Sequence, residues 1–314
     1  MTAIGLIING RSNRTQSVLA DVLGVARQFR DVSVEVLDGV KGLDKALIGM
    51  NGRGVDTLIL GGGDGTIQAA FTDAINNRRF EHEPKYVALA CGMTNVIAND
   101  CGLKGSPASS LDRFLRRRRA GEAVAARRSL LSVTRGSREP VHGFFLGAGA
   151  FHTAVNFSRD HVQAAGARRS LALSLSVAGY IAKFALDAQA QKDSVRVDFD
   201  EGGPAAPASS ELTLYLATTL SKLGAGIYPF WGEGEGAIAA TTVDCPARRI
   251  MSAAPAVVRG KKKAWFEAEG YRSWRTDRIV ARFEAPFVFD GEMFEAAGGE
   301  DIVFGTSHNV DFLH

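Results

Sequence analysis

The sequence predicts an α/β N-terminal domain with a parallel sheet, followed by a β-rich, sandwich-like second domain. Three observations carry this reading. Strands and helices alternate through the first third of the chain, a glycine-rich turn joins one of those strands to the helix after it, and beyond about residue 128 short alternating strands take over. A chain of 314 residues, 46% of them hydrophobic, is long enough for two cores.

Taken in order, "AIGLII" reads as a buried strand, and residues 15–29 set Val18, Leu19, Val22, Val25, Ala26 and Phe29 on one helical face. "VSVEVL" is a second strand. A weaker helix near "LDKALIGM" leads to the strand "DTLIL", the helix after Thr66 leads to "KYVALA", and another helix is expected from about Thr94. In the second half "SLLSVT", "VHGFFLG", "SVRVDFD", "ELTLYLAT", "AWFEAEGY" and "RIVARFEA" read as strands connected mostly by hairpins. The Gly/Pro-rich "EGGPAAPASS" is then an exposed hairpin loop. Residues 168–190 are the exception, an expected helix with Leu171, Leu175, Ala178 and Ala182 along one stripe. The domains divide at 1–127 and 128–300, with residues 301–314 a candidate to pack back on the first.

Composition removes several classes. The three cysteines, Cys91, Cys101 and Cys245, show no Cys-x-x-Cys spacing, which argues against a disulfide framework or structural zinc and for a reducing compartment. The six histidines, His152 and His161 among them, lack metal-ligand spacing, and no Gly-x-Ser-x-Gly elbow is present. The N-terminus reads as a strand rather than a signal peptide, and "LALSLSVAGYIA" falls short of the ~20 residues a membrane span needs, so a cytoplasmic location is expected. Net charge is only +3, yet Arg113, Arg116, Arg117, Arg118, Arg119, Arg127 and Arg128 crowd one segment. That run is ordinarily a solvated helix face. It is also a candidate for contact with anionic lipid.

The chemistry is concentrated in "DTLILGGGDGTIQAAFTDAINN". Ile67, Ala70, Phe71, Ala74 and Ile75 have the spacing of a buried helix face, so Gly61, Gly62, Gly63 and Gly65 occupy the turn from a strand into a helix N-terminus. Such a turn binds anions, because glycines let backbone N–H groups approach a phosphate and the helix dipole adds positive charge. Asp64 would repel that phosphate unless a cation or a donated proton lay between them. The stretch lacks a Walker lysine, and Thr66 stands where a dinucleotide fingerprint needs its third glycine. The plainer alternative is a tight turn capped by Asp64 or Thr66.

Gly62-Gly63-Asp64-Gly65-Thr66 resembles the signature shared by diacylglycerol, sphingosine, ceramide and NAD kinases. "ALACGMTNVIANDCGL" is similar to the second nucleotide loop of the lipid kinases through Gly92, Thr94, Asn95 and Ala98. "IINGRSN" resembles the family's first-strand loop through Asn9, Arg11 and Ser12. "IYPFWGEGEGAI" matches at Pro229, Glu235 and Gly236, and "FVFDGEMFE" at Asp290, Gly291 and Glu292. The chain is thus identified as a divergent member of the diacylglycerol kinase catalytic-domain family. It departs from the family at Asn13, Ala69, Met93 and Val96, and "LGAGAFHTAV" lacks the family's aspartate.

The resemblance implies a two-domain lipid kinase architecture with the active cleft between the domains. It implies ATP and Mg²⁺ as cofactors and transfer of the γ-phosphate to the hydroxyl of diacylglycerol, ceramide or a sphingoid base. Asn9, Arg11, Ser12, Gly62, Gly63, Asp64, Gly65, Thr66, Gly92, Thr94 and Asn95 are the expected nucleotide contacts, and Asp64 and Glu235 the metal candidates. Asp64, Asp290 and Glu292 are the catalytic candidates. Two apart, Asp290 and Glu292 would share one side of a strand. The helix at 168–190 is a candidate wall for acyl chains, and segment 113–128 for peripheral contact with the inner face of a membrane. No nucleic-acid partner is expected. Two competitors are a dinucleotide-dependent oxidoreductase, which would want glycine at position 66, and a nucleotide-binding regulator without turnover.

Overall fold

A computed structural model describes residues 3–11, 13–92, 94–151, 194–203, 206–207, 209–224, 226–296 and 299–314. They fall into two compact units, Met1–Leu130 with Glu139–Gly143 and Ser307–His314, and Leu131–Arg138 with Phe144–Thr306.

The first unit alternates β1 (Ala3–Asn9), α1 (Asn13–Ala26), β2 (Val32–Leu37), α2 (Leu43–Gly52), β3 (Val55–Gly62), α3 (Asp64–Asn76), β4 (Lys85–Ala90), α4 (Val96–Cys101) and α5 (Pro107–Arg119). Its strands pair in the order β2-β1-β3-β4, all parallel. The apolar runs Ile4–Ile8 and Leu58–Leu60 follow from this, because a parallel sheet is covered on both faces. Alternate residues Ile4, Leu6 and Ile8 pack with Val22, Ala26 and Phe29 of α1 and Leu111, Phe114 and Leu115 of α5. On the opposite face Phe71 of α3 meets Tyr86 and Phe312, ring centroids 4.6 and 5.9 Å apart. Each large side chain buried this way stabilises the fold by roughly 1.5–3 kcal/mol. β5 (Ala125–Arg135) starts in this unit, and β6 (Val141–Gly143) lies against α3, where the Asn76 amide donates to the Pro140 carbonyl at 2.8 Å.

The second unit contains β7 (Phe145–Gly149), β8 (Val195–Glu201), β9 (Ser209–Thr218), β10 (Ile238–Asp244), α6 (Ile250–Val258), β11 (Tyr271–Thr276), β12 (Arg278–Phe283), β13 (Phe287–Phe289), β14 (Glu292–Phe294) and β15 (Ile302–Leu313), whose last residues return to the first unit. Every pairing among these strands is antiparallel. β9 carries β10 on one edge and β7 then β8 on the other, β11 adds to β10, β12 joins β8 to β15, and β13 joins β7 to β14. The chain is therefore an N-terminal α/β domain with parallel strands followed by a β-rich antiparallel one.

Three local readings of the sequence differ from the structure. "AWFEAEGY" is not a strand: Phe266 is buried and stacks on Tyr271, and the Tyr271 amide donates back to the Phe266 carbonyl at 2.9 Å, so the chain turns through Glu267–Glu269 first. "VHGFFLG" breaks at Phe144 into β6 and β7. β10, "IAATTVD", escaped notice because small residues and threonines buried on both faces leave no alternation to read. The expected helix at 168–190, with His152 and His161, lies outside the described residues. Among the described residues no helix is long and apolar enough to cross a membrane.

Candidate functional site

β3 runs straight into α3 through Gly63, which caps the helix in extended conformation without any side-chain bond. The first-turn amides of Asp64 and Gly65 consequently have no intrahelical acceptor, as at any helix N-terminus. Asn9, at the end of β1, donates through Nδ2 to Thr66 Oγ1 at 2.9 Å and accepts the Arg11 amide at 3.0 Å. This ties the first-strand loop to the glycine turn. A Cβ on Gly62 would lie 2.6 Å from the Thr66 side chain, so the fold demands glycine there.

The second loop, after β4, lies against the first. A Cβ on Gly92 would stand 2.3 Å from the Cα of Gly63, so the two backbones touch with room for nothing larger. Asn95, at φ +53°, closes this loop on itself: its Oδ1 accepts the Gly92 amide at 2.7 Å and its Nδ2 donates to the Gly92 carbonyl at 2.8 Å. Thr15 of α1 supports the loop by donating to the Cys91 carbonyl at 3.2 Å. Sequence reading missed Thr15, since nothing local announces a partner 76 positions away.

Asp64 does not cap its own helix, as the plain-turn reading supposed. Its carboxylate reaches the next one: Oδ2 accepts the Thr94 hydroxyl at 2.9 Å and the Val96 amide at 3.0 Å, and Oδ1 accepts the Ile97 amide at 3.0 Å. Asp64 thus supplies the acceptor that the N-terminus of α4 lacks, where Asn95 makes no cap bond. It is 6% exposed. Burial lifts its carboxyl above the usual range, against the pull of the amides of Ile97 and Val96 and the Thr94 hydroxyl.

The second unit holds the other motif residues. Phe289 pairs with Glu292, which leaves Asp290 and Gly291 as a two-residue hairpin loop with φ of +46° and +88°. Asp-Gly is the sequence such a turn prefers. Asp290 is 3% exposed; its Oδ2 accepts the Phe144 amide at 2.8 Å, its Oδ1 accepts the Phe145 amide at 3.0 Å, and its own amide donates to the Phe145 carbonyl at 2.9 Å. These bonds hold the chain at the break between β6 and β7. Asp290 and Glu292 accordingly do not share one side of a strand, because the turn falls between them and leaves Glu292 exposed on β14.

Of the remaining candidates, Arg11, Thr94 and Glu235 are exposed, and Ser12 lies outside the described residues. Glu235 sits in the loop before β10, where Gly236 lies against the Thr276 backbone. No three His, Cys, Asp or Glu side chains converge to hold a metal among the described residues, and both oxygens of Asp64 already accept protein donors.

A sequence model of the diacylglycerol kinase catalytic domain matches residues 3–125, the stretch that contains both glycine loops. Among solved structures, a presumed diacylglycerol kinase from Bacillus anthracis str. Sterne superposes with a TM-score of 0.64 at 14% identity, covering 98% of this chain and 96% of that one. A diacylglycerol kinase from the same organism gives 0.60 at 13% identity with the same coverage. No curated protein sequence matches significantly. At such identities the superpositions speak for a common fold, end to end, and the sequence match speaks for the loops of the first unit. Residues 3–125 are thus similar to the diacylglycerol kinase catalytic domain, and the chain as a whole shares the fold of these two structures.

Proposed function

We propose that the chain is an ATP-dependent lipid kinase that transfers the γ-phosphate to the hydroxyl of a membrane lipid such as diacylglycerol, ceramide or a sphingoid base. The observation that carries this reading is the contact of Gly63 with Gly92, which lines two backbone loops beside the N-terminus of α3, where the N-cap supplies no side-chain bond. Backbone N–H groups without side chains in front of them suit the oxygens of a polyphosphate. Asn9 and Thr66 hold the floor of that corner, and Arg11 is exposed beside it. Mg²⁺ would arrive with the nucleotide, held by phosphate and water, since Mg²⁺ commonly keeps several waters and few protein ligands.

In this reading Asp64 is a positioning residue: it keeps the 92–97 loop against the glycine turn. Of the two carboxylates in "FDGE", we assign the acceptor-side base to Glu292. Asp290 accepts two backbone amides, whereas Glu292 is exposed and its carboxylate is open to a hydroxyl. The engagement of both aspartates favours one second reading, a nucleotide binder without turnover. Radiolabelled ATP offered with a panel of lipids in mixed micelles separates the two. Label in a lipid product supports the kinase, whereas nucleotide protection against heat without any labelled lipid supports the binder.

A further inference from the structure

We infer that α6 and the lysine loop after it form the surface through which the protein docks on an anionic lipid bilayer. Between Pro246 and Phe266 the chain carries six basic residues, Arg248, Arg249, Arg259, Lys261, Lys262 and Lys263, and no acidic one. The whole chain has a net charge of only +3, so this one segment is more positive than the protein. The arginine-rich segment 113–128 looks like a stronger candidate in sequence but is largely neutralised in place. Arg116 pairs with Asp112, Arg118 with Asp56, Arg119 with Asp31, Arg127 with Asp311 and Arg128 with Asp100. Around α6 the described residues form two pairs, Lys262 with Glu267 at 2.8 Å and Arg249 with Glu269 at 3.9 Å. Arg248, Lys261 and Lys263 make none among the described residues.

The shape agrees with the charge. α6 turns Ala253, Ala254, Ala256 and Val257 inward and shows Met251, Ser252 and Pro255 outward, with exposed Arg248 just before the helix and exposed Arg259 capping its end. Met251 is 61% exposed, the most exposed large apolar side chain described. Arg249 lies over the half-buried Trp265 ring, 4.4 Å from its centroid, so an aromatic of the kind that favours a membrane interface stands beside the basic row. A protruding methionine gains from acyl chains and nothing from a sugar–phosphate backbone, which is why the surface fits a bilayer better than a nucleic acid. The inference extends the lipid-kinase reading by naming the face that meets the acceptor's membrane, but vesicle binding is read without turnover, so either can fail alone.

The test is sedimentation of the full chain with vesicles of 30% phosphatidylglycerol in phosphatidylcholine, against pure phosphatidylcholine. Binding to the anionic vesicles that falls with added salt is expected. Replacing Lys261, Lys262 and Lys263 by glutamine should lower the partition coefficient about fivefold per charge, roughly a hundredfold together. Met251→Ser, which removes no charge, should lower it about tenfold. Arg113→Gln with Arg117→Gln on α5 should leave binding unchanged. Equal binding to neutral vesicles, retained binding by the triple variant, loss through the α5 pair instead, or binding to RNA with no binding to vesicles would each overturn the inference.

Discussion

Two Asp-Gly steps, Asp64-Gly65 and Asp290-Gly291, do the same physical task in different units. Each aspartate is buried, and each accepts backbone amides of a segment far away in sequence, residues 96–97 for Asp64 and 144–145 for Asp290. They differ in what the glycine does. Gly65 continues a helix, whereas Gly291 takes the second left-handed position of a hairpin turn. They differ also in surroundings. Asp64 clamps a loop beside the N-terminus of α3, and Asp290 clamps a strand start and is followed two residues on by the exposed Glu292. A buried aspartate in a functional motif is thus as readily a fastener as a reagent, and hydrogen-bond partners distinguish the two.

The largest effect should come from the residue that fastens nothing. Glu292→Gln is expected to lower kcat on a micellar lipid acceptor by about 10²–10⁴-fold with the unfolding midpoint unchanged, as for a general base on the surface. Full turnover in that variant would return the role to Asp290 or to a residue not yet considered. Next comes Asp64→Ala, which strips the acceptor from three donors and should destabilise by roughly 3 kcal/mol in denaturant unfolding. Asn at position 64 keeps one acceptor and turns an amide toward a donor, so about half that loss is expected. A stable Asp64→Ala protein that lacks turnover would break the comparison, by making Asp64 a reagent after all. Asp290→Asn should be milder than Asp290→Ala, by roughly 1 kcal/mol, because asparagine also tolerates positive φ.

A fourth prediction concerns the far side of α3. Thr72 and Asn76 of that helix bond His142, whose amide donates to Thr72 Oγ1 at 3.0 Å and whose Nε2 lies 3.0 Å from Asn76 Oδ1. Burial, with a smaller push from His308, brings the His142 imidazole from 6.5 down to about 4. Between those values the unfolded chain binds the proton that the folded one refuses, so this contribution is complete above pH 6.5 and lost as pH falls toward 4. The slope should reach about 1.4 kcal/mol per pH unit at most, and His142→Gln should flatten it in urea unfolding followed across that range. A slope that survives in the variant would place the titration elsewhere. The smallest effect expected is that of Thr94→Val, which removes one exposed donor from Asp64 and should cost about 0.5–1 kcal/mol. A loss as large as that of Asp64→Ala would mean the hydroxyl, rather than the amides of Val96 and Ile97, secures the loop.

The sequence by itself determined what depends on neighbours along the chain. The parallel sheet was legible in runs such as "DTLIL" and "KYVALA", because strands buried on both faces are apolar throughout, and the glycine turn from β3 into α3 was legible because glycines before a helical stripe admit few other conformations. The Asp-Gly-Glu segment was found by its pattern, but its geometry was not. Periodicity suggested a shared strand face, and only the pairing of Phe289 with Glu292 turned it into a corner. Tertiary structure alone decided that Asp64 serves α4 rather than α3. It likewise decided that the arginines of α5 meet Asp31 and Asp56, from the start and the strand of other elements, while of the three lysines after α6 Lys262 alone forms an ion pair among the described residues. The reason is common to all these cases: a hydrogen bond or ion pair between distant residues leaves no period in the sequence. Its strength depends on burial and on an alignment that exist only once the elements have packed.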